Sequence, residues 1–152
     1  MKTLSDPEVK KDILQRLETL QPTSSRRWGS MSAHQMLCHL CDSFRGSMGE
    51  KPLSPAPGYF ARGVYKWLAL YLPVRWPHGV KTRPEMDQKI GGTPPVNFES
   101  DRQDLGRLLD RFSAQPREFQ WRPHPIFGLM SDADWMRWAY LHMDHHLRQF
   151  GI

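Results

Sequence analysis

A chain of 152 residues, 39% of them hydrophobic, has the size and the apolar supply for one domain with one core, and no second domain is expected. With 24% charged and 11% aromatic residues it falls outside the composition of disordered chains. The net charge of +5, from 21 Lys and Arg against 16 Asp and Glu, is scattered rather than drawn into one stripe, so nucleic acid is not an expected partner.

The opening Met1-Lys-Thr-Leu-Ser lacks the apolar run of a signal peptide, and no stretch approaches the roughly 20 apolar residues of a membrane span. No membrane association is expected, and the location read from this is cytoplasmic. A first helix is predicted over residues 6 to 20: Ser5 or Asp6 caps it, Pro7 suits its first turn, and Val9, Ile13, Leu17 and Leu20 recur at helical spacing. Residues 21 to 30 form a loop in which Arg26, Arg27 and Trp28 read as surface and anchoring groups.

Ser32 followed by Gln35 is a capping-box pattern and predicts a second helix running to Met48, where Gly49 stops it. Its inner face reads Met36, His39, Leu40 and Ser43, whereas His34 lies about 140° away and is expected in solvent. Cys38 and Cys41, at i and i+3 in the same helix, are poorly placed for a disulfide and are expected as reduced packing residues. Pro52, Pro55 and Pro57 mark a connection, and a third, packed amphipathic helix is predicted from Tyr59 to Leu72, ended by Pro73.

Residues 74 to 99 are rich in Pro and Gly without a sustained period, and such a run is expected to wrap one face or mouth of a bundle. Lys81, Arg83 and Lys89 within it are loop charges or contacts for an anionic substrate. Ser100 or Asp101 is predicted to open a fourth helix with Leu105, Leu108, Leu109 and Phe112 as its buried stripe. After the loop carrying His124-Pro-Ile-Phe-Gly128, Ser131 with Asp134 begins a last helix that ends at Gly151. No period-2 pattern occurs, so the expected fold is all-α, an antiparallel bundle with crossover connections.

The last helix carries the chemistry. His142 and His146 fall about 40° apart on its wheel, on the face that also holds Trp135, Trp138, Ala139 and Gln149. Two imidazoles aimed into a core from adjacent turns can share a metal ion. With His39 from the second helix they make three neutral nitrogen ligands and leave a fourth position free, the arrangement of many catalytic zinc sites. His145, about 60° to the other side of His142, is the alternative to His146. No Glu follows His142 as in H-E-x-x-H hydrolases, and G-x-S-x-G, Walker and dinucleotide fingerprints are missing. Asp42 and Gln149 are candidates to orient ligands or substrate from behind the histidines, or else plain helix-surface polar groups. His124 is a candidate proton shuttle, or a structural loop histidine.

The segment Met31-Ser-Ala-His-Gln-Met-Leu-Cys-His39-Leu and the ending His142-Met-Asp-His145-His146-Leu-Arg-Gln149-Phe-Gly resemble the DinB/YfiT-like superfamily of metalloenzymes. More narrowly, Trp28-Gly-Ser-Met31, His124-Pro-Ile-Phe-Gly128 and His-His-Leu-Arg-Gln-Phe-Gly look like a bacterial branch known as a domain of unknown function. The resemblance spans nearly the whole chain. It implies a four-helix bundle whose metal is held by His39, His142 and His146, and relatives that include thiol transferases and a thiol-dependent isomerase. Where the wider superfamily often has Arg after the last ligand, this chain has Leu147, so the thiol is not carried across with the fold.

Two functional classes follow. The first is an enzyme using Zn or Ni and a small-molecule substrate, either transferring a low-molecular-weight thiol or activating water for hydrolysis. The second is a non-catalytic, metal-stabilised bundle that binds a small molecule or dimerises, and the aromatic residues between Tyr59 and Trp76 make a homodimer a candidate assembly. A third reading keeps the scaffold without metal and leaves the histidines as hydrogen-bonded core groups. A cysteine closing the coordination sphere would favour the structural class.

Overall fold

The computed structural model describes residues 1–56 and 62–152, and among these it contains five α-helices and no strand. They are α1 (Pro7–Glu18), α2 (Ala33–Met48), α3 (Arg62–Tyr71), α4 (Phe98–Ser113) and α5 (Asp132–Gln149), with a 3-10 turn at Pro84–Met86. Tyr59 and Phe60, expected to open the third helix, lie outside the described residues. Helix ends follow local chemistry. The Asp6 carboxylate accepts the amides of Glu8 and Val9, and both Ser32 with Gln35 and Ser131 with Asp134 form reciprocal capping boxes. Gly49 closes α2 at φ +85°, a left-handed conformation that favours glycine.

Helix α2 is the axis of the bundle. Thirteen of its 16 residues are buried, so it is enclosed on nearly every side rather than along one stripe. Its residues allow this: Met36, Leu37, Leu40 and Phe44 supply apolar volume, and the small hydroxyls satisfy themselves. Ser43 Oγ donates to the His39 carbonyl and Ser47 Oγ to the Ser43 carbonyl, each at 2.8 Å. Helix α4 packs along α2 through Leu105, Leu108, Leu109 and Phe112. Helix α1 lies against α5 and α4, and α3 rests on α5.

Aromatic side chains join the layers. Phe44 meets Phe112 edge-on at 4.9 Å, Trp135 meets Trp138 at 5.2 Å, and Trp121 stacks on Trp135 at 5.1 Å. Such pairs add about 0.5–1.5 kcal/mol each beyond their burial. Trp138 of this cluster lies 4.8 Å from the His142 ring, so the aromatic core runs up to the histidines of α5.

Three expectations need correction. Helix α4 starts at Phe98 with Asn97 as its cap, because the Asn97 side chain accepts the Ser100 amide before Ser100 or Asp101 can serve. His34 is half-buried and meets Asp101 of α4 at 2.6 Å, since α4 covers the flank of α2 that a one-stripe reading leaves in water. Helix α3 is not packed along an apolar face: Val64, Tyr65 and Trp67 are all more than half exposed, and only Leu70 among its described side chains is buried. What ties it down is polar. Lys66 and the Tyr71 hydroxyl reach Asp134 on α5 at 3.0 and 2.5 Å. Burial works against the Asp134 carboxylate, but hydrogen bonds from Tyr71, Ser131 and Lys66 outweigh it and hold its pKa down at about 2.

Candidate metal centre

His39 projects from the middle of α2, and His142 and His146 project from successive turns of α5. One ring nitrogen from each lies within 4.8 Å of the others. His39 Nε2 and His142 Nε2 stand 3.3 Å apart, and ring centroids for the three pairs lie between 4.9 and 5.3 Å. Two imidazole nitrogens on one tetrahedral zinc ion, each at about 2.0–2.1 Å, are about 3.3–3.4 Å apart, so this spacing suits a shared ion.

The chain also fixes which nitrogen of each ring is free. His39 Nδ1 faces the Met86 carbonyl at 3.0 Å, an acceptor only, so Nδ1 carries the proton and Nε2 presents a lone pair. Trp28 O, likewise an acceptor only, takes a hydrogen bond from Gln149 Nε2 at 2.8 Å, which orients that amide and turns Oε1 toward His146 Nδ1 at 3.0 Å. His146 therefore donates from Nδ1 and leaves Nε2 free. Ligand histidines whose second nitrogen is held in this way are pre-oriented for metal. His142 has no such partner: its Nδ1 is buried and unpaired.

His39 and His146 are buried, whereas His142 keeps some exposed surface. Desolvation pushes all three rings below the ordinary histidine pKa, and the mutual repulsion of their charged forms adds to it for His142 and His146. They stay neutral at pH 7, the form that binds metal. Three neutral donors with no carboxylate among them suit a borderline ion such as Zn or Ni better than Mg or Ca.

His145 stands outside this group. Its ring lies 5.2 Å from that of His146 and is nearly perpendicular to it, with Trp28 at 5.8 Å and Trp76 at 6.1 Å around it. Desolvation, with Arg148 and His78 nearby, lowers its pKa to about 4. His78 in turn stacks on Trp28 at 4.0 Å. These aromatic rings border the centre.

Gln149 stands behind His146, accepting from its Nδ1. Asp42 touches none of the histidines. Fully buried, it accepts Thr93 N at 2.7 Å and Thr93 Oγ1 at 2.6 Å and pairs with Lys51 at 2.8 Å. Its effect is to fasten the loop after the 3-10 turn, whose Met86 carbonyl holds His39. His124 sits across Trp138 from the centre, with ring centroids 5.4 Å from Trp138, itself 4.8 Å from His142. Its Nδ1 accepts the amides of Ile126 and Phe127, so the ring organises its own loop, and burial lowers its pKa to about 3.

Cys38 and Cys41 are free thiols on the α4 side of α2, near Asp101, and neither joins the three histidines. Burial, then the Asp101 charge, pushes the Cys38 thiol up to about 12. His34, Cys38 and Asp101 form a second group with donor atoms within 4.8 Å. The 2.6 Å contact between His34 and Asp101 is a direct hydrogen bond, however, and leaves no space for an ion between them. That trio is a clasp between α2 and α4.

Sequence reasoning missed Met86, Trp76 and His78. Met86 acts through a backbone carbonyl, which leaves no side-chain signature, and the other two stand in an aperiodic loop. Gly29 was visible only as a loop residue. At φ +77° a Cβ there would meet Gln149 Nε2 at 2.6 Å, so the Gly29 position is what lets Gln149 reach the Trp28 carbonyl. Comparison with curated proteins found no match, and comparison with solved structures found none either. One family matches residues 6–151, which is nearly the whole chain and includes all three histidines of the centre: the chain belongs to the family described as Protein of unknown function (DUF1569).

Proposed function

We propose that this chain is a metal-dependent enzyme on a DinB/YfiT-like scaffold, in which His39, His142 and His146 hold one Zn or Ni ion for thiol transfer or hydrolysis. The observation that carries the reading is the pair of tautomer locks, Met86 O on His39 and Gln149 on His146, which leave Nε2 of both rings unprotonated and convergent. When bound, such an ion supplies Lewis acidity that makes a coordinated thiol or water nucleophilic near neutral pH. The residues around it do the rest. Trp138 packs against His142, Trp76 and His145 border the centre, and the buried rings exclude bulk water from its inner side. Three ligands with neither cysteine among them leave a position for a small-molecule substrate, and a low-molecular-weight thiol is the first candidate.

The exposed apolar residues of α3 favour one element of the second reading, a homodimer, without bearing on chemistry. Reconstituted protein should be assayed with a small thiol plus a chromogenic aryl halide, and separately with a chromogenic ester. Metal-dependent turnover that disappears in His39→Ala and His146→Ala supports the enzyme. Stoichiometric metal with no turnover of either substrate class supports the non-catalytic, metal-stabilised bundle.

A further inference from the structure

On a neighbouring stripe of α5, away from the histidines, Arg137 is nine-tenths buried. Its Nε donates to the Leu70 carbonyl at 2.8 Å and its Nη1 to the Lys2 carbonyl at 2.7 Å. Those partners are neutral. The Arg137 guanidinium carbon lies 5.6 Å from the Tyr140 ring centroid, and among the described residues no carboxylate forms an ion pair with it. Asp144, two turns on along α5, is already shared by Arg16 at 2.9 Å and Arg148 at 2.8 Å. A guanidinium buried without a counter-charge is costly, and an anion arriving at it would recover that cost.

The space for such an anion exists. Arg137 lines a cleft of about 410 Å³, open to solvent, between the N-terminal residues, the segment after α3, and α5. Lys2 and Arg75 stand at its rim, both exposed and without an ion-pair partner among the described residues. Leu72, Val74 and Trp76 give the cleft an apolar wall, and Asp144, paired with Arg148, also lines it. Trp76 also stands 6.1 Å from the rings of His142 and His145, so one indole borders both the cleft and the metal centre.

We infer that this cleft binds a small organic anion, a carboxylate or phosphate head group on Arg137 with its apolar body along Leu72 and Trp76. Arg137 supplies fixed N–H donors, which match the planar or tetrahedral oxygen array of such a head group. Lys2 and Arg75 raise the local concentration of anions at the rim. The site shares no ligand with the histidine centre.

Nuclear magnetic resonance titration of the full chain in phosphate-free buffer tests this, following the Trp76 indole N–H, which is held by the Ala69 carbonyl at 2.7 Å. Benzoate and phenyl phosphate should each shift that resonance saturably, and the neutral analogue benzamide should not. Whichever anion binds more tightly distinguishes a carboxylate from a phosphate site. Arg137→Lys should weaken binding about tenfold or more. Because Arg137 also clamps two carbonyls, the exposed pair Lys2→Glu with Arg75→Glu provides a variant that keeps the fold, and it should weaken binding to a similar degree. His39→Ala should bind benzoate as the parent does. No saturable shift with either anion, equal affinity in the rim variant, or loss of binding in His39→Ala would each overturn the inference, the last by moving the anion to the histidines.

Discussion

Gln149 is the residue whose replacement separates ligand positioning from simple packing. It is 3% exposed and makes two buried hydrogen bonds, accepting from His146 Nδ1 and donating to the Trp28 carbonyl. Replacement by Ala leaves a donor and an acceptor unpaired. Each net hydrogen bond is worth about 1 kcal/mol, and each group left buried without a partner costs about 1–3 kcal/mol. Trp28 is only half-buried, so water can reach part of the vacated site, and the lower half of that range applies. Gln149→Ala should therefore lose about 2–3 kcal/mol of stability, read by urea denaturation of metal-free protein. Metal affinity should fall about 10–100-fold, read by competition with a chromophoric chelator, because His146 no longer has a fixed tautomer. Gln149→Glu divides the two effects. Its carboxylate still accepts from His146 but opposes the Trp28 carbonyl, so stability should fall while metal binding stays at or above the parent level. Parent-like affinity in the Ala variant would refute the reasoning.

Asp42→Ala should leave Lys51 unpaired and release Thr93, at a cost of about 3 kcal/mol, near the low end for a broken buried pair because Lys51 keeps 19% of its side chain exposed. Hydrogen exchange at the Thr93 amide should rise to loop rates in that variant, and continued protection would show that Asp42 does not hold the loop. Acid stability should depend on His124. Its folded pKa of about 3 lies below the unfolded value near 6.5, so it is without effect above pH 6.5 and costs stability as pH falls toward 3. The slope is about 1.4 kcal/mol per pH unit at most. His124→Asn keeps an acceptor without a titration, so the chelator-treated variant should show a shallower decline of its urea midpoint between about pH 6.5 and 4.5. Equal slopes in variant and parent would remove His124 from the acid response.

How far the sequence could be read depended on the kind of signal each element carries. Helix α5 was legible from its capping box, its aromatic stripe and its paired histidines, because all three are side-chain patterns with a fixed period. Helix α2 was legible at its ends but not around its circumference. A helix buried on all sides has no polar stripe to contradict a one-face reading, so His34 and the α4 contact were misplaced. Helix α3 failed in the opposite way: its apolar residues promised packing, yet Val64, Tyr65 and Trp67 face outward and polar contacts to Asp134 hold it. At the centre, the three histidines could be named from spacing. The Met86 carbonyl that orients His39 could not, since it depends on a loop folding back across 47 positions.

The most direct test of the central claim is metal content by inductively coupled plasma mass spectrometry. It needs tag-free protein purified without chelator, beside His39→Ala, His146→Ala and His145→Ala. The three-histidine account predicts about one equivalent of Zn or Ni in the parent and in His145→Ala, and its loss in the other two variants. A parent that takes up no metal even after reconstitution, or that keeps it when His39 and His146 are each removed, would contradict the account and return the histidines to the core as hydrogen-bonded packing groups.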